Sequence, residues 1–185
     1  DALKIYPGIL HLNEGHSSFA ILEEIRRVME YDAIPFHRAR RRVSLYTVFT
    51  THTPVTAGHD RFSPDLVEEH LGAFREKLGL SHEDFMAQGR VHPQNNTETF
   101  CMTVLALKNC RFANAVSAIH QDISKRMWHC LWPERPENEV PIGHITNGIH
   151  VLSWLAPQMH QLFDAHLGQN WPTRMGHPEV WKEIE

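Results

Sequence analysis

Cysteine is scarce in this 185-residue chain: Cys101, Cys110 and Cys130 are the only three, an odd number with no metal-type spacing. That argues against a disulfide framework and for buried free thiols. Positive charge is short as well. Eighteen Lys and Arg against 22 Asp and Glu leave a formal charge of -4. This is not the basic excess that neutralises the phosphates of a nucleic acid, so no nucleic-acid partner is expected. The one basic run, RARRR from Arg38 to Arg42, reads as a solvated helix face. No stretch approaches the ~20 apolar residues of a membrane span. The opening DALKIYPGIL also lacks the charged-then-apolar layout of a signal peptide. No membrane partner and a cytoplasmic location are therefore expected. HExxH, CxxC, a Cys-His finger, GxGxxG and the Walker loop are all missing. Fifteen histidines invite a metal, through His11 with His16, His52 with His59, or His144 with His150. Their spacings do not match a ligand set, and no metal is expected.

What is present suffices for a core. The length is that of one domain, and 42% of the residues are hydrophobic. The chain opens at Asp1 without a methionine, and its far end, EVWKEIE, reads as a helix stopped midway. A piece of a longer protein is expected.

The organising stretch is LYTVFTTHTPVTAGHD, Leu45 to Asp60. Leu45, Tyr46, Val48 and Phe49 among threonines read as a buried strand, which breaks at Thr51-His52-Thr53 before Pro54. The same grammar appears earlier, in a short strand within Tyr6–Asn13 that empties into Asn13-Glu14-Gly15-His16. Ser17 or Ser18 then caps a helix carrying Phe19, Leu22, Ile25, Val28 and Met29. It appears again in Val140–Ile145, which empties into Thr146-Asn147-Gly148. Between these lie a short helix near Arg38–Val43, a helix from Ser63-Pro64 to Gly79, another opened by Ser81, a buried helix within Thr99–Leu107, and a helical pattern over Ile119–Trp132. Phe112–Ala118 has no clear period. The order β-α-α-β-α implies an α/β fold with a parallel sheet, and the three polar loops then share its carboxyl edge, where such folds bind ligands. One carboxylate, several imidazoles, an amide and hydroxyls suit an uncharged, hydroxyl-rich ligand such as a sugar. Each residue has a plainer reading. Glu14 can serve only the following helix N-terminus, and Asn147-Gly148 can be only a turn.

Four blocks take the reading further. HLNEGHSSFAILE from His11, VFTTHTPVTAGHDRF from Val48, MTVLALKNCRFANAVSAIHQDISKRMW from Met102 and VPIGHITNGIHVLSWL from Val140 resemble, in order and roughly in spacing, the α-glucan phosphorylase family of glycogen, starch and maltodextrin phosphorylases, particularly its shorter microbial members. The resemblance implies a Rossmann-like parallel sheet with flanking helices, part of the amino-terminal lobe of a two-lobed glycosyltransferase fold. Residues 1–185 would form a single segment from the later part of that lobe. The implied reaction moves a terminal α-1,4-linked glucosyl unit to inorganic phosphate with retention, giving glucose 1-phosphate. The implied cofactor is pyridoxal phosphate, bound through a lysine in the carboxyl-terminal lobe, which no block of this chain matches. The segment alone is expected to be inactive. Family members are commonly homodimers.

Carried over by position, the resemblance makes His52 the residue whose carbonyl and side chain face the glucosyl ring, and Asn147 the holder of the 6-hydroxyl. Glu14 and His16 would line the sugar subsite, and His59 and Asp60 take no assigned role. Asn114-Ala115 stands where the family usually has Asn-Gly. A non-catalytic glucan-binding module is the alternative reading, and a metal-dependent hydrolase a third.

Overall fold

In the computed structural model, which describes residues 7–182, four short strands set the geometry. They are β1 (Leu10–Asn13), β2 (Thr47–Thr50), β5 (Phe112–Ala115) and β6 (Ile142–His144), paired in that order and all parallel. Asn13 lies opposite Thr50, Thr50 opposite Asn114, and Ala115 opposite His144. The strands therefore end level, and the loops that follow them emerge on one edge. The expected parallel α/β sheet with flanking helices is what the chain forms.

Two helices link β1 to β2. Helix α1 (Phe19–Asp32) buries Ile21, Leu22 and Ile25 and ends where Ala33 turns into the left-handed region ahead of Pro35. Helix α2 (Phe36–Ser44) buries Ala39 and Val43, one turn apart, leaving Arg38, Arg41 and Arg42 exposed and Arg40 half-buried. Ser18 occupies the expected cap position of α1, but its hydroxyl makes no cap bond and is buried without a partner.

Leu45 and Tyr46 do not join the central strand as the β-branched and aromatic pattern suggests. Their amides still bond the helical carbonyls of Arg42 and Val43, and the Thr47 hydroxyl donates to the Val43 carbonyl at 2.9 Å. Leu45 is left 59% exposed, and the strand starts at Thr47.

Beyond β2, a ribbon of β3 (Arg61–Phe62) and β4 (Phe100–Cys101) brackets helices α3 (Pro64–Lys77) and α4 (His82–Met86). Ser63 caps α3 by accepting from the Leu66 amide, with Pro64 in the first turn. Gly79, at φ 66°, lets the chain leave that helix. Helix α5 (Met102–Asn109) is buried at every position from Met102 to Leu107, as expected of a helix that is apolar all round. Helix α6 (Ala118–Trp128) completes the layer against β5 and β6.

The cysteines are free, as expected, but only Cys101 is buried. Cys110 is half-buried and Cys130 exposed. Among the described residues no helix is long and apolar enough to cross a membrane.

Length alone suggests one domain, yet the chain forms two compact units, the first ending at Thr146. The second starts at Asn147 and, among the described residues, contains four short helices, α7 (Val151–Trp154), α8 (Pro157–Leu167), α9 (Trp171–Arg174) and α10 (Pro178–Trp181). It has its own core of Leu167, Trp171 and Val180, with the Phe163 ring edge-on to Trp171 at 5.2 Å. That separate core explains the division. Tyr6, at the head of the first strand reading, and Glu183, Ile184 and Glu185, at the end of the last helix reading, lie outside the described residues.

Candidate functional site

The loops after β1 and β2 meet at Glu14. Its backbone is held at φ 75°, ψ 164°, a conformation that costs a non-glycine residue about 1–3 kcal/mol. Hydrogen bonds over-determine it. The Glu14 amide donates to the Thr50 carbonyl at 2.8 Å, and its own carbonyl accepts from the Ser17 hydroxyl at 2.9 Å. Its carboxylate accepts from the Gly15 amide (2.9 Å), the His52 amide (2.7 Å) and the Thr53 hydroxyl (2.8 Å), with the Thr51 hydroxyl at 3.5 Å. Both carboxylate oxygens are thus engaged by the protein itself, and Glu14 ties the two loops together. Burial raises the carboxyl pKa, but bonds from the His52 amide, the Thr53 hydroxyl and the Gly15 amide outweigh it and hold the group below its ordinary value.

His52 is exposed, with its ring fixed. Nε2 stands 2.6 Å from Asn13 Oδ1, so Nε2–H donates and Nδ1 has no hydrogen-bond partner among the described residues. His16 is exposed on the 3-10 turn Gly15–Ser17, which Glu14 caps. Asn147 is exposed at the start of the second unit. Of the four residues carried over from the resemblance, Glu14 and His52 are in direct contact and His16 is on the same turn, while Asn147 belongs to the other unit.

Several participants were given no role at this site from sequence. Asn13 orients the His52 ring. Across the strands, His11 Nε2 meets the Thr50 hydroxyl at 2.8 Å, and that hydroxyl donates to Asn114 Oδ1 at 2.9 Å. His59 is buried, with Nδ1 at 2.8 Å from the Thr103 hydroxyl, Nε2 at 3.2 Å from Met127 Sδ, and its ring edge-on to Trp128 at 4.9 Å. Burial is the main reason its pKa is lowered. Thr103 in turn crowds Gly15, where a Cβ would come within 2.8 Å of its hydroxyl. His59 therefore anchors the far end of the His52 loop to α5 and α6. The only sequence signal for these contacts was that polar residues directly follow the strands.

Among the described residues no three His, Cys, Asp or Glu side chains are grouped to hold a metal ion. Nor do these loops fit pyridoxal phosphate, which needs a lysine. Lys108 Nζ donates to the Ala87 and Arg90 carbonyls, Lys125 Nζ donates to the Asn138 carbonyl, and neither Lys77 nor Lys182 lies in the loops after β1 and β2.

Comparison with known proteins supplies what geometry leaves open. A family profile described as carbohydrate phosphorylase matches residues 6–180. The chain belongs to the carbohydrate phosphorylase family.

Among relatives of that family, the chain is 39% identical over 183 residues to a maltodextrin phosphorylase of Thermococcus litoralis, covering 99% of this chain and 21% of the relative. It is 36% identical over 184 residues to a glycogen phosphorylase of Mycobacterium tuberculosis, covering 96% of this chain and 21% of that protein. A glycogen phosphorylase of Aquifex aeolicus is 29% identical over 184 residues, 100% of this chain and 26% of the relative. The chain thus spans between a fifth and about a quarter of the length of these phosphorylases.

Proposed function

We propose that this chain supplies the glucosyl-binding part of an α-1,4-glucan phosphorylase site. The complete enzyme would break the terminal glycosidic bond of the glucan and join the glucosyl carbon to an oxygen of inorganic phosphate. Its products are glucose 1-phosphate and a glucan one unit shorter. The observation that carries this reading is the Glu14 clamp, which pins the His52 peptide and the neighbouring threonine at the carboxyl edge of the sheet.

With its amide held by a carboxylate and its ring held by Asn13, His52 is fixed in both backbone and side chain. A preset carbonyl dipole near the anomeric carbon stabilises the positive charge of an oxocarbenium-like transition state without reorganising. The unpartnered Nδ1 of this exposed ring is free to meet a sugar hydroxyl. In this reading His16 and Asn147 add hydrogen bonds that fix the glucosyl ring for in-line attack. Glu14, whose acceptor sites are taken by the protein, acts on the sugar through the loops it positions.

Pyridoxal phosphate, the cofactor expected from the family, would be held by residues outside this chain. The proposed setting is a cytoplasmic homodimer acting on α-1,4-glucan and phosphate.

The test is glucose 1-phosphate release from maltodextrin and inorganic phosphate by the full-length protein loaded with pyridoxal phosphate, with the 185-residue chain as control. Release by the loaded protein and none by the chain is the expected result. No release from either would shift the assignment to a glucan-binding module without catalysis.

A further inference from the structure

The basic run of α2 does not behave as a merely solvated face. Together with the end of α5 it lines a cavity of about 680 Å³ at the amino edge of the sheet, opposite the Glu14 loops. Its walls carry His37, Arg38, Arg40, Arg41, Arg42 and Lys108, and among the described residues no acidic side chain lines it.

The charge inside is poorly balanced. Arg40 is half-buried, yet among the described residues its guanidinium donates only to neutral oxygens, Asn109 Oδ1 at 2.6 Å and the Lys108 carbonyl at 3.2 Å. Lys108 is likewise half-buried and, among the described residues, donates only to the Ala87 and Arg90 carbonyls. Burial lowers the pKa of both groups, and the neighbouring Arg40 lowers that of Lys108 further. Arg42 is paired with Asp32, while Arg38 and Arg41 are exposed and meet no carboxylate among the described residues. Glu98, which favours the charged Lys108, has its own carboxylate engaged by the Val91 and His92 amides. Half-buried cations held by carbonyls alone are costly, and a bound anion would offset that cost.

We propose that this cavity is a binding site for a small phosphate-bearing anion. Several guanidinium forks around one concavity match phosphate oxygens in pairs, and the volume lies in the range of small-molecule pockets. A nucleic acid is disfavoured, because the cluster is a pocket rather than a stripe and the whole chain is acidic. The site does not rest on the phosphorylase reading, since it uses neither Glu14 nor His52.

The test is calorimetric titration of the full-length protein at about 0.15 M salt, with pyrophosphate in one series and ADP in another. Each is repeated on the double variant Arg38→Gln, Arg41→Gln. Both positions are exposed, so the variant is expected to keep the parent's melting temperature. The expected result is one saturable site that weakens about tenfold or more in the variant, as two charge-assisted contacts are lost. Any anion site elsewhere in the protein persists unchanged in both. Equal affinity for the two probes assigns recognition to the phosphates alone, and tighter ADP binding shows that the nucleoside also enters the cavity. Identical titrations for parent and variant, or no saturable binding of either probe, would overturn the proposal.

Discussion

Replacing Glu14 by Gln tests the clamp while keeping the side chain's shape. One carboxylate oxygen becomes an amide nitrogen, which cannot accept. Oε1 takes the Gly15 amide at 2.9 Å and a long contact from Thr51, whereas Oε2 takes the His52 amide at 2.7 Å and the Thr53 hydroxyl at 2.8 Å. The less damaging arrangement turns the new nitrogen toward Gly15. It forfeits one bond to a charged group, worth about 1.5–3 kcal/mol. It also leaves the two bonds at the other oxygen at roughly half strength, since charge-assisted bonds are about twice as strong as neutral ones. Glu14 is half-buried, so water recovers part of this, and the net loss is about 2 kcal/mol.

The assay is amide hydrogen exchange of the 51–53 segment in the full-length protein. Local opening should become about 30-fold more frequent, because 1.36 kcal/mol corresponds to a factor of ten. The effect has a pH signature. The Glu14 pKa is lowered on folding, so its stabilisation is present above the unfolded value and is lost as pH falls through the lowered folded one. The parent should therefore lose protection in this segment at acid pH, and the Gln variant should lack that dependence. Exchange within about twofold of the parent at neutral pH would refute the reasoning, because two loops held by a 2 kcal/mol contact cannot open at an unchanged rate.

In the full-length protein, His52→Ala and Asn147→Ala should each lower turnover about tenfold or more, as expected for a hydrogen bond made in the transition state; unchanged kinetics in both would remove them from the site. His59 carries a pKa lowered by burial, so its contribution is complete above the unfolded value of about 6.5 and declines as pH drops toward the folded value. Urea midpoints taken across that range should show a shallower acid decline for His59→Gln, and parallel curves would count against a buried neutral imidazole. Arg90 is fully buried, donating to the Glu98 and Asn96 carbonyls and pairing with Glu83. Arg90→Ala should cost about 3 kcal/mol through stranded carbonyls and an unfilled space. A melting point lowered by less than about 2 °C would contradict it, since a loss of that size predicts roughly 6–12 °C.

Much of the first unit was legible because its burial is periodic. Ile21, Leu22 and Ile25 mark the inner face of α1, and the run of α5, apolar from Met102 to Leu107 but for Thr103, reads as core. Strand β5 escaped notice because Phe112-Ala113-Asn114-Ala115 pairs two alanines with an amide, and Phe112, its most strand-like residue, is the exposed one. The β3–β4 ribbon was missed because two-residue strands have no period to read. At the site, polar residues just after strands pointed to the right loops. Their division of labour did not show, because the Glu14 clamp joins positions nearly forty residues apart and exists only after β1 and β2 align. The basic run was read as solvated because the half-burial of Arg40 depends on where α5 ends, which local sequence does not reveal.

The strand order also has a bearing on synthesis. β2 sits between β1 and β5, yet β5 follows it by some sixty residues of ribbon and helix. On the ribosome, β2 can pair with β1 early, but its other edge must wait for β5, which at about 5–20 residues per second is roughly 3–12 s. During that interval Thr47–Thr50 presents unpaired amides and carbonyls along an edge that the finished sheet fully covers. The strand leading to His52 is thus open to mispairing in the nascent chain for that interval, and a holding chaperone or a slowed stretch of translation would act there.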